Sequence, residues 1–262
     1  VKFRETAGLI PAVVPNSELT YETVSQLNLG MDLALNGYRF TARIDAYQSN
    51  VENLLIYAPL EAYFGYQFRP ENNGEMQNTG IDLNLFYRIV NGKSFKWDME
   101  TWLSAVENEI THIKGEKLVT QIPGGEIVNM EGEAANSFYG YTYEGVYSTT
   151  EDAQNTGLLN EKLVAYGGGD AVYADISGPN GVKDGVINDF DKTVIGSSLP
   201  EFFGGVSNTF QYKRWELNAF VQFVYGNEVF NYVRYQNERM VGLQNQSTKV
   251  LNRWQYEGQI TD

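Results

Sequence analysis

Apolar and polar side chains alternate along six stretches of this chain, most cleanly between Gly205 and Tyr225. There Val206, Phe210 and Tyr212, then Trp215, Leu217, Ala219, Val221, Phe223 and Tyr225, are apolar or aromatic, and Ser207, Gln211, Glu216, Asn218 and Gln222 stand between them. A period of two is that of a β-strand with one greasy and one wet face. Only Lys213-Arg214 interrupts the pattern, which predicts an antiparallel hairpin with a two-residue joint. Phe220 and Val224 are apolar on the wet side and are expected to pack against another part of the protein.

The same pattern predicts four more strands, so that the six cover about 22–35, 38–50, 79–90, 95–110, 203–213 and 215–225. Leu27, Leu29, Met31, Leu33 and Leu35 share a face, and Asn36-Gly37 follows as a hairpin signal, since both residues tolerate positive φ. Ile81, Leu83, Leu85, Tyr87 and Ile89 form another apolar face. Short connections alternate with long ones, the latter expected at about 51–78, 112–202 and 226–262. Aromatics gather beside each short turn: Tyr38 and Phe40; Phe86 and Tyr87; Phe95 and Trp97; Phe210, Tyr212 and Trp215.

Two architectures bury such faces. A β-sandwich packs them on a second sheet. A transmembrane β-barrel turns them to lipid, with tight turns on one side, long loops on the other and aromatic girdles at the interfaces. Strand length favours the barrel, because strands of globular proteins run about 5–6 residues and membrane-crossing ones about 9–11. Six strands do not close a pore of useful size, so the chain is expected to begin and end inside a larger barrel.

Composition narrows the function. The formal net charge is −14, which disfavours nucleic acid as a partner. Cysteine is absent, so neither disulfides nor thiolate metal sites arise. No apolar run is long enough for a transmembrane helix, which leaves a membrane barrel open. His112 is the single histidine and completes neither a triad nor a zinc site. Gly124-Gly125 and Gly167-Gly168-Gly169 lack the Lys-Ser/Thr of a phosphate loop and read as turns. Carboxylates scattered over loops do not specify a glycosidase pair, and the chain reads as a non-enzyme.

Several segments carry a resemblance. They are the first hairpin, LTYETVSQLNLGMDLALNGYRFTARIDAYQSNVENLL; NNGEMQNTGIDLNL (Asn72 to Leu85); FYGYTYEGVYST (Phe138 to Thr149); DKTVIGSSLPEFFGGVSNTFQYKRWELNAFVQFVYGNEVFN (Asp191 to Asn231); and NRWQ (Asn252 to Gln255). In order and content they resemble the SusC/RagA family of TonB-dependent outer-membrane transporters. The resemblance implies the C-terminal part of a 22-stranded antiparallel transmembrane β-barrel, without its plug, set in lipid in the outer membrane of a Gram-negative, Bacteroidetes-type bacterium. It implies import of oligosaccharides, in some members peptides, with a SusD-like surface lipoprotein and energy from TonB–ExbB–ExbD. A dimer of transporter–lipoprotein pairs stays open. The competing reading of the residues is a soluble, calcium-binding extracellular β-sandwich for glycan binding or adhesion.

Two groups of residues suggest binding chemistry. The 91-residue connection 112–202 holds 14 acidic and 5 basic residues. Within it, DGVINDFD resembles the later half of an EF-hand loop, with an acid, a Gly for the sharp turn, a backbone carbonyl and a closing carboxylate. Asp175, Asn180, Asp184, the Val186 carbonyl, Asp189 and Asp191 are the expected oxygen ligands of a structural calcium ion. The family often shows an uninterrupted D-x-N-G-D-G-x-I-x-x-x-D here, whereas Ser177 to Lys183 is expanded in this chain. The second group is aromatic. Tyr57, Tyr63, Phe64, Tyr66, Tyr139 and Tyr141 are candidates to stack on sugar rings or clamp a peptide.

Overall fold

A computed structural model describes residues 2–3, 6–7, 14–60, 65–66 and 68–261. Its largest feature is a six-stranded antiparallel sheet: β1 (Thr23–Leu35), β2 (Phe40–Pro59), β3 (Phe68–Asn91), β4 (Phe95–Ile113), β5 (Phe202–Tyr212) and β6 (Trp215–Tyr225). Each strand pairs with its neighbour in sequence, and β4 pairs with β5 across the long insertion. The sheet is an open meander whose edges are β1 and β6. No helix among the described residues is long and apolar enough to cross a membrane.

The alternation explains the register. Ile44, Leu83, Leu103, Gly204 and Phe223 are successive partners across five strands, so one apolar row crosses the sheet. A slip of one residue would turn a whole strand's apolar set to the other face. At the short-turn end, Phe40 meets Tyr87 and Trp97 stacks on Phe210, with ring centroids 6.3 Å and 5.5 Å apart. The aromatics beside the turns are thus one cross-strand belt. Asn208, a polar residue on the apolar face, accepts a hydrogen bond from the Trp97 indole N–H at 3.0 Å.

The Lys213-Arg214 joint has the expected two residues, with Lys213 at φ 56° and Tyr212 opposite Trp215. The first hairpin is wider than its Asn-Gly signal suggested. Asn36, Gly37 and Tyr38 all take positive φ, Leu35 pairs with Phe40, and the turn is four residues long. A larger correction concerns 51–78, which the alternation marked as loop. β2 runs on to Pro59 and β3 starts at Phe68, leaving only 60–67 as the connection. The strand pattern was hidden by a bulge: register shifts around Leu54, and Asn53 sits at φ 58°. At 20, 24 and 19 residues, β2, β3 and β4 are about twice the length a membrane span requires.

The chain divides into two compact units. The first, Val1–Leu118 with Asn129–Ala135 and Leu199–Asn227, contains the six-stranded sheet. Its buried apolar side chains are Val51, Ile110 and Ile113, all at the long-connection end. There Ile110 exchanges backbone hydrogen bonds with Gly132 and Glu133, and exposed His112 pairs with Glu131 at 2.8 Å.

The second unit is Val119–Val128, Asn136–Ser198 and Glu228–Asp262. The stretch 112–202 is therefore not plain loop. Strands Ser137–Tyr141 and Lys192–Gly196 pair antiparallel, and Gly125–Met130 adds to the other side of Ser137–Tyr141. A short helix, α1 (Thr150–Asn155), is capped by the Thr149 hydroxyl accepting from Asp152 N–H. A second helix, α2 (Tyr232–Glu238), lies within the stretch 226–262 that was expected as a long connection. Val128, Tyr139, Tyr147, Ala153 and Ile187 are buried in this unit.

Candidate functional site

The polar face of the six-stranded sheet is the first candidate surface. Arg43 pairs with Asp32 at 2.7 Å and Arg88 with Asp98 at 2.9 Å, both between adjacent strands. Asn218 donates to the hydroxyls of Ser207 (3.0 Å) and Thr209 (2.9 Å), and Gln211 donates to Glu216 (3.0 Å). Trp102 also belongs to this face, near Phe203 and stacked with Phe220 at a 22° interplanar angle. Phe220 and Val224, expected to be covered, are 51% and 58% exposed in this sheet.

In the second unit, the aromatic candidates divide. Tyr139 is 6% exposed and belongs to the core. Tyr141 is half-buried, with its ring centroid 5.3 Å from that of Tyr173 and the Lys192 ammonium 5.5 Å from it. Burial pushes the Tyr141 phenol above its ordinary range. Both tyrosines border a cavity of about 430 Å³, also lined by Phe138, Ile195, Glu228 and Phe230. Tyr57, on β2 in the first unit, is exposed, and Tyr66 is half-buried. Tyr63 and Phe64 lie outside the described residues. The six candidates thus do not form one cluster.

Lys192 is the electrostatic centre of the second unit. It donates to both Glu126 oxygens at 3.0 Å and lies 2.9 Å from Asp189. Burial lowers its pKa, but Asp189 and Glu126 outweigh that and hold it above the usual lysine range. Hydrogen bonds from Gln121 and Lys192 hold Glu126 below the usual carboxylate range.

The acidic turn is built around Asp191, which is fully buried. One carboxylate oxygen accepts from the backbone N–H of Ile176 (2.8 Å) and Ser177 (3.2 Å), the other from Asn188 N–H (2.9 Å). Asp184 accepts from Val186 N–H, and the Val186 carbonyl accepts from the Asn188 amide. Asp189 is 86% exposed at its side chain beside Lys192, and Asn180 is exposed. The expanded Ser177 to Lys183 stretch forms its own turn, with Gly181 N–H donating to Gly178 C=O, and Asp184 packs on bare Gly178. Asp175 differs from the rest. One oxygen accepts from Gly185 N–H at 3.0 Å, and the other is buried without a partner. Among the described residues, no three His, Cys, Asp or Glu side chains converge to hold a metal. As arranged, Asp175, Asp184, Asp191 and the Val186 carbonyl accept hydrogen bonds within the turn, Asp189 pairs with Lys192 and Asn180 is exposed, so the six are not gathered as a calcium cage of about 6–8 oxygens requires.

The alternating sheet, its polar face and its aromatic belt find their counterpart among known proteins. Residues 3–256 match the family described as TonB dependent receptor-like, beta-barrel. The chain belongs to the TonB-dependent receptor β-barrel family. It is 30% identical over 266 residues to TonB-dependent receptor P3 of Formosa agariphila, covering 99% of this chain and 26% of that one. It is 24% identical over 228 residues to TonB-dependent receptor SusC of Bacteroides thetaiotaomicron, covering 82% and 20%. The RagAB peptide transporter structure overlays on all of this chain and 29% of its own, with TM-score 0.76 and 24% identity. The RagAB peptide importer in its open-open state gives 0.73 and 25%, covering 96% and 26%. The chain spans about a quarter of the curated relatives' length.

As a segment of a TonB-dependent receptor barrel, the sheet acquires two environments. The alternation of a transmembrane barrel assigns the row through Ile44, Leu83 and Leu103 to lipid and the face of Arg43, Asn84 and Trp102 to the lumen. The receptor segment also has structural residues that sequence reasoning missed. Trp254, within NRWQ, rests on Gly168 and Gly169, where an added Cβ would meet its ring at 2.9 and 2.6 Å. Its indole N–H donates to Ser148 C=O at 2.9 Å, and Glu257 accepts from Thr150 N–H at 2.9 Å. Two of the three glycines read as a plain turn, Gly168 and Gly169, are thus the seat of a tryptophan about 85 residues away. The triple-glycine run itself was the available signal.

Proposed function

We propose that the whole protein imports oligosaccharides, or else peptides, across the outer membrane of a Gram-negative, Bacteroidetes-type bacterium. A SusD-like surface lipoprotein works with it, and TonB–ExbB–ExbD supplies energy. The match to the TonB-dependent receptor barrel over residues 3–256 carries this reading. The names of SusC and of the RagAB peptide transporter support the import class, and the long β2–β3–β4 extensions offer surface for a lipoprotein. The protein's part is binding and passage, with no chemistry on the cargo. Deleting the gene should abolish uptake of the cargo, deleting tonB should do the same, and affinity purification should return a lipoprotein. Uptake unchanged without TonB would overturn the reading. Recovery of the full-length protein in aqueous buffer without detergent would favour a soluble β-sandwich instead.

A second reading concerns the acidic turn, and rests on the buried, unpartnered Asp175 oxygen. Calcium would bind structurally only if Asp191 released its backbone partners to join Asp175. Saturable heat on calcium titration, lost in Asp175→Asn, supports this. No heat, together with a melting temperature unmoved by chelator, overturns it.

A further inference from the structure

Two aromatic side chains on the lumen face lie across glycines of the next strand. Tyr47 on β2 is the direct cross-strand partner of Gly80 on β3, and Trp102 on β4 is that of Gly205 on β5. A Cβ at Gly205 would stand 2.8 Å from Trp102 Cζ2, and one at Gly80 would overlap the Tyr47 ring. Glycine therefore lets each ring spread over the neighbouring strand instead of standing off the sheet. Gly80 is level with Val106, four residues beyond Trp102 on β4. The two glycines are thus roughly 13 Å apart along the strands and 10 Å across them.

Trp102 has two aromatic neighbours, Phe203 and the stacked Phe220, and the rest of the surroundings are polar. Trp102 has Asn84 as its partner on the other side, and Gln222 is opposite Gly205. Tyr47 is flanked by Asn28. Both nearby arginines, Arg43 and Arg88, are ion-paired, whereas the carboxylates of Asp45 and Asp82 are opposed in register. A flat ring with amide and carboxylate groups around it complements a molecule with one apolar face and hydroxyls at its edge. Two acids opposed in register, with Arg43 near Asp45 already paired to Asp32, oppose carboxylated or sulfated cargo.

We propose that Tyr47 and Trp102 are stacking platforms in the barrel lumen for the rings of an uncharged oligosaccharide in transit. This deepens the import reading and rests on it. The other occupant of these rings would be a further segment of the same receptor.

The test uses the full-length receptor with its lipoprotein, in cells lacking the chromosomal copy. Uptake is measured for maltoheptaose, xylohexaose and mannohexaose, with a galacturonate hexamer and a peptide digest as comparison probes. For a neutral probe that the wild type imports, Trp102→Ala and Tyr47→Ala should each lower uptake efficiency about tenfold, with the melting temperature unchanged and Trp102→Phe close to wild type. Unchanged uptake in both alanine variants overturns the platforms and leaves the import reading standing. A lowered melting temperature with normal uptake per folded receptor overturns them in favour of an internal packing segment. If Trp102→Ala does not fold, Tyr47→Ala decides alone. Wild-type import of only the galacturonate or only peptides overturns the saccharide assignment, again without touching import. Wild-type import of no probe overturns the proposal, and the tonB deletion then judges the import reading separately.

Discussion

The six-stranded wall and the loop unit solve burial in opposite ways. Between its turns and its bulge the wall buries almost nothing of its own. Among the described residues, its buried apolar side chains sit at the long-connection end, and its greasy rows are exposed unless lipid covers them. The loop unit has a small dry core of Val128, Tyr147, Ala153 and Ile187, and folds its backbone around buried polar groups such as Asp191 and Ser137. A wall stabilised by its solvent tolerates monotony, since every second residue need only be apolar. A water-exposed unit with little regular structure needs a partner for each buried polar group.

The sharpest way to break this contrast is to place one charge on each face of the wall. Leu83→Arg on the lipid row should cost about 2–4 kcal/mol near the bilayer midplane. Asn84→Arg, one residue on and facing the lumen, should cost little. Folding into lipid vesicles, followed by the gel-mobility shift of folded barrels, measures both. Equal effects would mean that the two faces are not lipid and lumen.

In the loop unit the comparable weak point is a polar residue. Asp191→Ala strands three backbone N–H groups, those of Ile176, Ser177 and Asn188. The expected loss is about 3 kcal/mol. It should appear as protease cleavage between the strands at 137–141 and 192–196 while the wall stays folded. Asp191→Asn should be milder, since an amide keeps one acceptor oxygen. If cleavage spreads to the wall, the two units are not separately stable.

What was legible in the sequence follows the same division. Period two gave all six wall strands, because one rule of alternation applies from Thr23 to Tyr225 wherever the backbone is regular. It failed at Val51 to Leu54, where a bulge shifts the phase and hides the outer halves of β2 and β3. In the loop unit, an EF-hand-like string suggested ligands, yet Asp191 caps backbone and Asp189 faces solvent beside Lys192. Short motifs record which residues are near in sequence. Here contacts such as Glu257 to Thr150, 107 positions apart, and Trp254 to Gly169, 85 positions apart, join residues that no local pattern links.

Gly169 sharpens that point at a smaller scale. It combines φ 88° with a tryptophan ring where a side chain would go. Gly169→Ala should destabilise the loop unit by about 1–2 kcal/mol through backbone strain and displacement of Trp254. Gly115, at φ 91° with open space around it, should lose only the strain. Tryptophan fluorescence during urea unfolding compares the two variants, and equal losses would remove Trp254 from the account.

The smallest expected effect is a pH dependence confined to the loop unit. Glu126 has a folded pKa below its unfolded one, held there by Gln121 and Lys192. Its contribution is therefore present above the unfolded carboxylate pKa, about 4.3, and is lost as pH falls through the folded value. Lys192 works in the opposite sense. Its raised pKa stabilises below the unfolded lysine value, about 10.4, and the gain is lost only as pH rises beyond it. Between these limits the Glu126–Lys192 pair should hold steady. Acidification below about pH 4.3 should loosen the sheet of 125–130, 137–141 and 192–196 before the wall. Lys192→Met should shrink that acid-sensitive step, because Glu126 would keep only its Gln121 hydrogen bond. Proteolysis across a pH series measures it, and a step of undiminished size in Lys192→Met would assign the acid sensitivity to another carboxylate of the loop unit.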